Sequence, residues 1–464
     1  MTAPAVVRRL SARGLFGALV ATGALLAVPT GPALQAVISY DGQLAAVPGM
    51  QVLASFPSLR MAVVRADAGT LSRLASAPGI RGVAPDDVVQ LAGHDDDGGA
   101  GAVLASEQLG GQAGLPGAGA GIRVAVVDTG VSDTAALNRA SGRLVDAADA
   151  SRVGDGGGLE TGGTYTDVYG HGTFMADVIA GGAVNGTGGK AIGVAPGATV
   201  LVVRVARRDG STSLSKVLAG LDWIAAHSSS VDVVNLSLSH SRPGSAYGAD
   251  PLTDAVDRVR AAGVAVVVSS GNTKKTVSDP GFDPKALTVG AADLETGRVA
   301  SFSGSDVVAG VAKPDVVASG VDVLGLLPPN SVLATSSATQ HLADGLFRGS
   351  GTSQAAAITS GVAALFLAAH HDATPAQVKA SLRCAASGLP GHRDGAGLLR
   401  TTTTVCAGAD GNALDGSGDA TGESTFDASS WGASSWGASS WAASSWGASS
   451  WAASSWAGTE WGAP

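Results

Sequence analysis

The chain has 464 residues, a formal net charge of −9 and 45 % hydrophobic residues, with only 14 % charged. That apolar share supports a sizeable core and excludes global disorder, and an acidic chain without a basic stripe is not built to follow a phosphate backbone, so no nucleic acid partner is expected. Two cysteines, Cys384 and Cys406, are too few for a disulfide scaffold or a cysteine-only zinc site.

The chain opens on a leader pattern. Arg8, Arg9 and Arg13 precede a largely apolar, uncharged run over 15–28, followed by Pro29, Gly31, Pro32 and Ala33. A positive start, a short apolar middle and a small-residue end are the parts of an export signal, expected here over 1–36. The run is short for a membrane-spanning helix, which needs about 18 or more apolar residues. No later segment is expected to cross a bilayer. The product is therefore expected to be secreted, and either free or associated with the cell surface. Residues 37–93 read as a small α/β unit, with strand character at 36–39, 51–55, 60–65 and 88–91. A short helix is expected over 68–77, with Leu71 and Leu74 on one side. Residues 94–121 are rich in Gly and Ala and hold the acidic run Asp95-Asp96-Asp97, a linker composition.

From Ile122 the pattern changes. Val124 to Val127 is a continuous apolar run, as a strand buried on both faces requires. Similar runs recur at 200–203, 233–236 and 264–268, separated by helix-like segments at 173–180, 214–227 and 251–262. Strands alternating with helices predict an α/β fold with a parallel central sheet and helices on both faces. Residues 353–369 are almost all small or apolar and predict a helix buried on all sides. The domain is expected to span 122–406, followed by a Gly- and Asp-rich linker at 407–427. Residues 428–464 repeat an Ala-Ser-Ser-Trp-Gly/Ala unit, with Trp431, Trp436, Trp441, Trp446, Trp451, Trp456 and Trp461 each five residues apart. On a helix that spacing leaves successive rings about 140° apart, and on a strand it alternates faces, so neither makes one apolar stripe. A solvated chain with evenly spaced aromatic rings fits better.

Three short sequences carry chemistry. Val124-Ala-Val-Val-Asp128-Thr-Gly130 puts a carboxylate at the end of a buried strand, where open parallel sheets present functional groups. Gly170-His171-Gly172-Thr173 puts an imidazole where a Gly-rich turn enters a helix. Gly349-Ser-Gly351-Thr352-Ser353 puts a hydroxyl at the start of the buried helix, where backbone N–H groups favour negative charge. Singly they read as a turn residue, a loop residue and a helix cap. They occur in the order Asp, His, Ser, with gaps of 43 and 182 residues.

In that order and with those flanking words, residues 122–399 resemble the subtilisin-like serine peptidases (subtilases). Gly193-Val-Ala-Pro196, Ser269-Ser-Gly-Asn272 and Lys313-Pro-Asp-Val316 match in the correct intervals. The resemblance implies hydrolysis of peptide bonds through an acyl-enzyme. Ser353 would be the nucleophile, His171 its base and Asp128 the residue that orients the imidazole. It implies an oxyanion hole made by the Asn272 side-chain amide and the Ser353 N–H. It also implies a pocket flanked by Leu236, Ser237, Leu238 and by Ser269, Ser270, Gly271, with backbone pairing to an extended protein or peptide substrate. The unit at 37–93 resembles the inhibitory propeptide of this family, which would cover the cleft and be cut in the 94–121 linker, making the chain a zymogen. The bland alternative is a permanent α/β module.

The chain departs from the family pattern at Phe174, Met175 and Asp177 after the histidine, at Gln354, Ala357 and Ile358 after the serine, and at Ser239 and Ser319. No catalytic group is lost by these changes. A pseudopeptidase that binds peptides without cutting them is the rival reading. No cofactor is required for the chemistry. Relatives often bind calcium, but no metal site can be assigned here. In an exported chain Cys384 and Cys406 are expected to pair as a disulfide, with two buried thiols as the alternative. The spaced Trp residues suit stacking on sugars or aromatic groups, so the tail is read either as a cell-wall or surface retention module or as an inert extension.

Overall fold

The structure, a computed structural model, describes residues 32–91, 103–109, 113–240, 250–274, 276–308, 310–336, 341–342, 345–390, 393–402 and 404–406. The leader as far as residue 31, parts of 94–121, the 407–427 linker and the Trp repeats lie outside the described residues.

The N-terminal unit is an antiparallel sheet of β1 (Leu34–Tyr40), β2 (Gln51–Phe56), β3 (Met61–Ala66) and β4 (Ile80–Pro85), in the order β2-β3-β1-β4. Helix α1 (Ala68–Ala75) begins at Asp67, whose carboxylate accepts the Thr70 N–H at 2.8 Å. Strand alternation divides the sheet. Ala36, Ile38, Ala62 and Val64 pack with Leu71 and Leu74 of α1. Val37, Met61 and Val63 face the other way, into an apolar cluster shared with the larger domain. Strand β1 begins at Leu34, ahead of the expected boundary between 36 and 37. A last strand, β5 (Val88–Leu91), leaves this sheet altogether.

The stretch 94–121 is not all linker. Helix α2 (Ala105–Leu109) packs into the core of the larger domain, and Ser106 Oγ donates to the Ala191 carbonyl at 2.7 Å. Its small residues permit this close approach: a Cβ at Gly119 would lie 2.9 Å from that of Ala195.

The larger domain runs through β6 (Arg123–Asp128), β7 (Leu144–Asp149), α3 (His171–Ala180), β8 (Thr199–Arg204), β9 (Thr212–Ser213) and α4 (Leu214–Ala226). It continues through β10 (Val233–Leu236), β11 (Leu238–His240), α5 (Pro251–Ala261), β12 (Ala265–Ser269), β13 (Leu287–Asp293) and β14 (Arg298–Val299). A hairpin of β15 (Asp306–Val308) and β16 (Val311–Lys313) precedes β17 (Val316–Ser319), β18 (Val323–Leu326), α6 (Val332–Thr335) and β19 (Leu346–Gly349). Helices α7 (Thr352–Ala369) and α8 (Pro375–Ala385) close the described chain.

The central sheet has the order β14-β13-β12-β10-β6-β8-β7, with β17 beside β13, and every pair but β13–β14 is parallel. Val124, Val126, Val200 and Val202 point to one face, where α3 and α7 supply Met175, Ile179, Ala356 and Phe366. Ala125, Val127, Leu201 and Val203 point to the other, against Leu214 and Leu218 of α4 and Leu252 and Val256 of α5. This is the α/β fold expected from the alternating runs. Helix α7 is long and apolar enough to cross a membrane by composition, contrary to the expectation that no later segment is, but 89 % of it is buried inside the domain. Cys384 and Cys406 form the expected disulfide, with Cα atoms 6.5 Å apart. Lys313, within the matched Lys-Pro-Asp-Val stretch, is buried with its ammonium 2.8 Å from Asp315, which Lys379 of α8 also approaches at 3.0 Å.

Three short strands join the two units. Strand β5 lies antiparallel between β9 and β11, pairing Val89 with Thr212 on one side and Gln90 with Ser239 and Leu91 with Leu238 on the other. Val89 is fully buried in the cluster that holds Leu214, Leu236 and Leu238. Nearby, Asp86 Oδ1 accepts the Ser215 N–H at 2.7 Å, capping α4, whose own Ser213 makes no capping bond. Asp222 of α4 accepts the Leu59 N–H at 3.1 Å, and Arg81 pairs with Asp254 of α5.

Candidate active site

The site forms where the parallel strands end. In the register Val233↔Val124, Val234↔Ala125 and Asn235↔Val126, β10 and β6 run side by side, so Asp128 at the end of β6 and Ser237 just past β10 lie at the same end of the sheet. Asp128 is fully buried, and its Oδ1 accepts the Thr129 N–H at 2.8 Å. His171, the first residue of α3, places Nδ1 2.9 Å from both carboxylate oxygens of Asp128. Gly172 N–H donates to Thr129 Oγ1 at 2.9 Å, holding the start of α3 against the end of β6. Gly170 makes this approach with φ at +117°, which favours glycine.

Ser353, the second residue of α7, meets the same strand end. Its Oγ donates to the Ser237 carbonyl at 3.2 Å, and Ser237 Oγ donates to the Ser353 carbonyl at 3.1 Å. His171 Nε2 is buried and makes no hydrogen bond. In this conformation the serine hydroxyl is thus aimed at Ser237 and not at the imidazole.

Burial opposes a charged imidazole, but the Asp128 carboxylate overrides it by charge and hydrogen bond, and Asp167 adds to it, so the His171 pKa lies above the ordinary 6.5. Asn272 lies three residues beyond β12. Its Oδ1 accepts from both the N–H (3.1 Å) and the Oγ1 (2.9 Å) of Thr352, the residue before Ser353. With Oδ1 accepting both Thr352 donors, the Asn272 amide NH2 faces away from that residue.

The expected pocket segments are brought together. Ser269 Oγ donates to the Leu238 carbonyl at 3.0 Å, bridging the two walls. Leu236 and Leu238 bury their side chains in the core, Ser270 is buried with no side-chain hydrogen bond, and Gly271 turns at φ +86°. At the end of β11, His240 exchanges backbone hydrogen bonds with Asp279.

The departures find local explanations. The Phe174 ring packs over Gly325 and Gly349, where Cβ atoms would lie 2.8 and 3.0 Å from it, and Gln354 Nε2 shares the Gly349 notch. Ala357 and Ile358 join the core, and Ser319 is buried with its Oγ unpaired.

Asp177 is buried on α3 with one bond, from Thr134 Oγ1 to Oδ1 at 3.0 Å, and its Oδ2 has none. Burial pushes its pKa well above the usual carboxylate value, against the Thr134 bond and the charge of Arg143. A carboxyl whose folded pKa is raised costs stability as pH climbs from its unfolded value, by about 1.4 kcal/mol per pH unit until the folded group ionises. Asp177→Asn removes this cost. Thermal unfolding should therefore show the variant near wild type at pH 4 and increasingly more stable than wild type towards neutral pH; a constant difference would contradict it.

A family model for the subtilase family (peptidase S8) matches residues 119–418. The chain is 34 % identical over 291 residues to serine protease AprX of Bacillus subtilis (strain 168), covering 57 % of this chain and 61 % of AprX. It is 30 % identical over 277 residues to subtilisin DY of Bacillus licheniformis, covering 58 % and 85 %. It is 36 % identical over 230 residues to alkaline elastase YaB of Bacillus sp. (strain YaB), covering 48 % and 53 %. The chain belongs to the subtilase family, whose members are serine-type endopeptidases.

Proposed function

We propose that this chain is a secreted serine endopeptidase made as a zymogen, with Asp128, His171 and Ser353 as its catalytic triad. The observation that carries the reading is the buried Asp128–His171 pair, at the same end of the sheet as Ser237, on whose carbonyl the Ser353 hydroxyl rests. Rotation of the Ser353 side chain from Ser237 to His171 Nε2 lets the imidazole take its proton as Oγ attacks the peptide carbonyl. Asp128 holds the tautomer with Nδ1 protonated and stabilises the imidazolium. The oxyanion falls to the Asn272 NH2 and the Ser353 N–H at the N-terminus of α7. His171 then protonates the leaving amine, and water releases the acyl group by the same steps. No cofactor enters this scheme. Among the described residues no group of three or more His, Cys, Asp or Glu is placed to hold a metal.

Asn272→Ala should lower kcat about 100- to 1,000-fold with KM little changed, as loss of one oxyanion donor does. Steady-state kinetics on a chromogenic peptide checks this, and an unaltered kcat would remove Asn272 from the hole.

The zymogen reading is supported by β5, which occupies the central strand position between β9 and β11 as an extended peptide would. While it remains there, no substrate strand can pair with either edge. The leader pattern supports export, and the Trp repeats support retention at a wall or surface. Deletion of 428–464 should raise release into the medium, and unchanged release would refute retention.

Mass spectrometry of purified wild-type and Ser353→Ala protein after incubation tests the whole. Loss of the N-terminal unit by the wild type alone is the expected result. If both stay whole, a serine-directed covalent probe decides: labelling of Ser353 supports an enzyme activated by an outside protease, and no labelling supports the pseudopeptidase.

A further inference from the structure

Four residues before His171 stands a carboxylate that the catalytic scheme does not use. Asp167 is 3 % exposed. Its Oδ1 accepts the N–H groups of Tyr169 (3.0 Å) and Gly170 (2.7 Å), and its Oδ2 accepts the N–H (2.9 Å) and Oγ1 (2.8 Å) of Thr173. Three of these donors are backbone N–H groups, which can only donate, and the four bonds fill the lone pairs of the carboxylate. The three backbone donors each favour the charged carboxylate. Burial works against them and raises the Asp167 pKa above the ordinary carboxylate value.

These bonds secure the first turn of α3. Gly170, at the cap position, has no side chain to do so. Asp167 is itself tied to the loop after β6: its N–H donates to Ser132 Oγ at 3.1 Å, Ser132 Oγ donates to the Asp167 carbonyl at 3.1 Å, and the Ser132 N–H donates to Thr173 Oγ1 at 3.1 Å. The loop that follows Asp128 and the helix turn that carries His171 are thus locked to one another through this residue. The charges acting on the imidazole are Asp128 from β6 and Asp167 from the segment leading into α3.

We infer that Asp167 is a positioning residue for the triad: it fixes the His171 ring against Asp128 through the first turn of α3 and supplies a second negative charge behind the imidazole. The inference rests on the triad reading above and deepens it. A plain helix cap would affect stability alone. A positioning carboxylate also affects the rate and the titration of the imidazole.

The test uses the full chain with Asp167→Asn. The expected result is a kcat lowered about ten- to a hundredfold with KM nearly unchanged, the scale of a misplaced catalytic group. The acid limb of the kcat/KM profile should also move to lower pH, because less negative charge supports the imidazolium. Titration of the His171 ring by NMR in the Ser353→Ala background, with and without Asp167→Asn, should show the same downward shift without turnover. A lower melting temperature with kcat and the acid limb at wild-type values would overturn the inference. Should Asp167→Asn fail to fold, Thr173→Val removes the hydroxyl that donates to Asp167 and accepts the Ser132 N–H; a severalfold loss of kcat at constant KM is expected, and a wild-type kcat would overturn it. Full turnover by Ser353→Ala would instead sink the triad reading itself, which separates the two failures.

Discussion

Ser353→Ala should abolish peptide hydrolysis, with kcat falling on the order of a million-fold, the scale of losing a triad nucleophile. The fold should survive, because Ser353 contributes its hydroxyl to a single bond with the Ser237 carbonyl, and that carbonyl lies at the end of a strand otherwise held by β6 and β12. Alanine suits the second position of a helix that is already rich in it. The reciprocal bond, from Ser237 Oγ to the backbone carbonyl of residue 353, does not need the serine side chain. Circular dichroism and the unfolding midpoint should therefore match the wild type while product formation disappears. Substantial turnover by a correctly folded variant would show that another nucleophile is at work.

Asp128→Asn should be the next largest effect, about 10,000-fold in kcat. The asparagine preserves shape but presents an NH2 to one side of the imidazole. His171 Nδ1 lies 2.9 Å from both carboxylate oxygens, so either orientation of the amide disturbs the tautomer that leaves Nε2 unprotonated and able to accept a proton. The charge is lost as well. In the wild type burial lowers the His171 pKa and Asp128 more than restores it, so the imidazole is neutral, and able to act as base, only above a pKa that exceeds 6.5. Without Asp128 the burial effect is less opposed, and the residual activity of the variant should have its acid limb at lower pH. A pH–rate profile measured on both proteins separates the two losses. An acid limb that does not move would mean that the imidazole does not sense this carboxylate.

The sequence made some of this legible, for identifiable reasons. The runs at 124–127 and 200–203 lie in strands covered on both faces, so their apolar character shows without any partner in view. Strand β7 escaped notice because it is an edge strand carrying Asp146 and Asp149, which pair with Arg139 and Arg204. Strand β4 escaped because only its Ala84 is buried. The three proposed catalytic positions were legible because each sits in a short word that dictates its own turn or helix start. Asp167 was not, because what defines it is a set of donors gathered by the path of the backbone, and an Asp three residues ahead of a helix cap gives no sign of this. The pairing of β5 was also hidden. Val88 to Leu91 shows strand character, yet its partners lie some 120 to 150 residues away in β9 and β11, and nothing local names them.

On the proposed function, the place held by β5 has a consequence for which proteins this chain can attack. Its neighbours grip it by main-chain bonds along both sides, so an occupant must be fully extended and must give up any hydrogen bonds it made elsewhere. A helix or an internal strand of a folded protein cannot do this without first opening. For such targets the rate of cutting would follow how often the segment opens, and hence its local stability, more than the identity of its side chains. On the proposed function, the enzyme would be a sensor of unfolding: tightly packed neighbours outside the cell would persist beside it, while frayed ends, loose loops and damaged chains would be cleared.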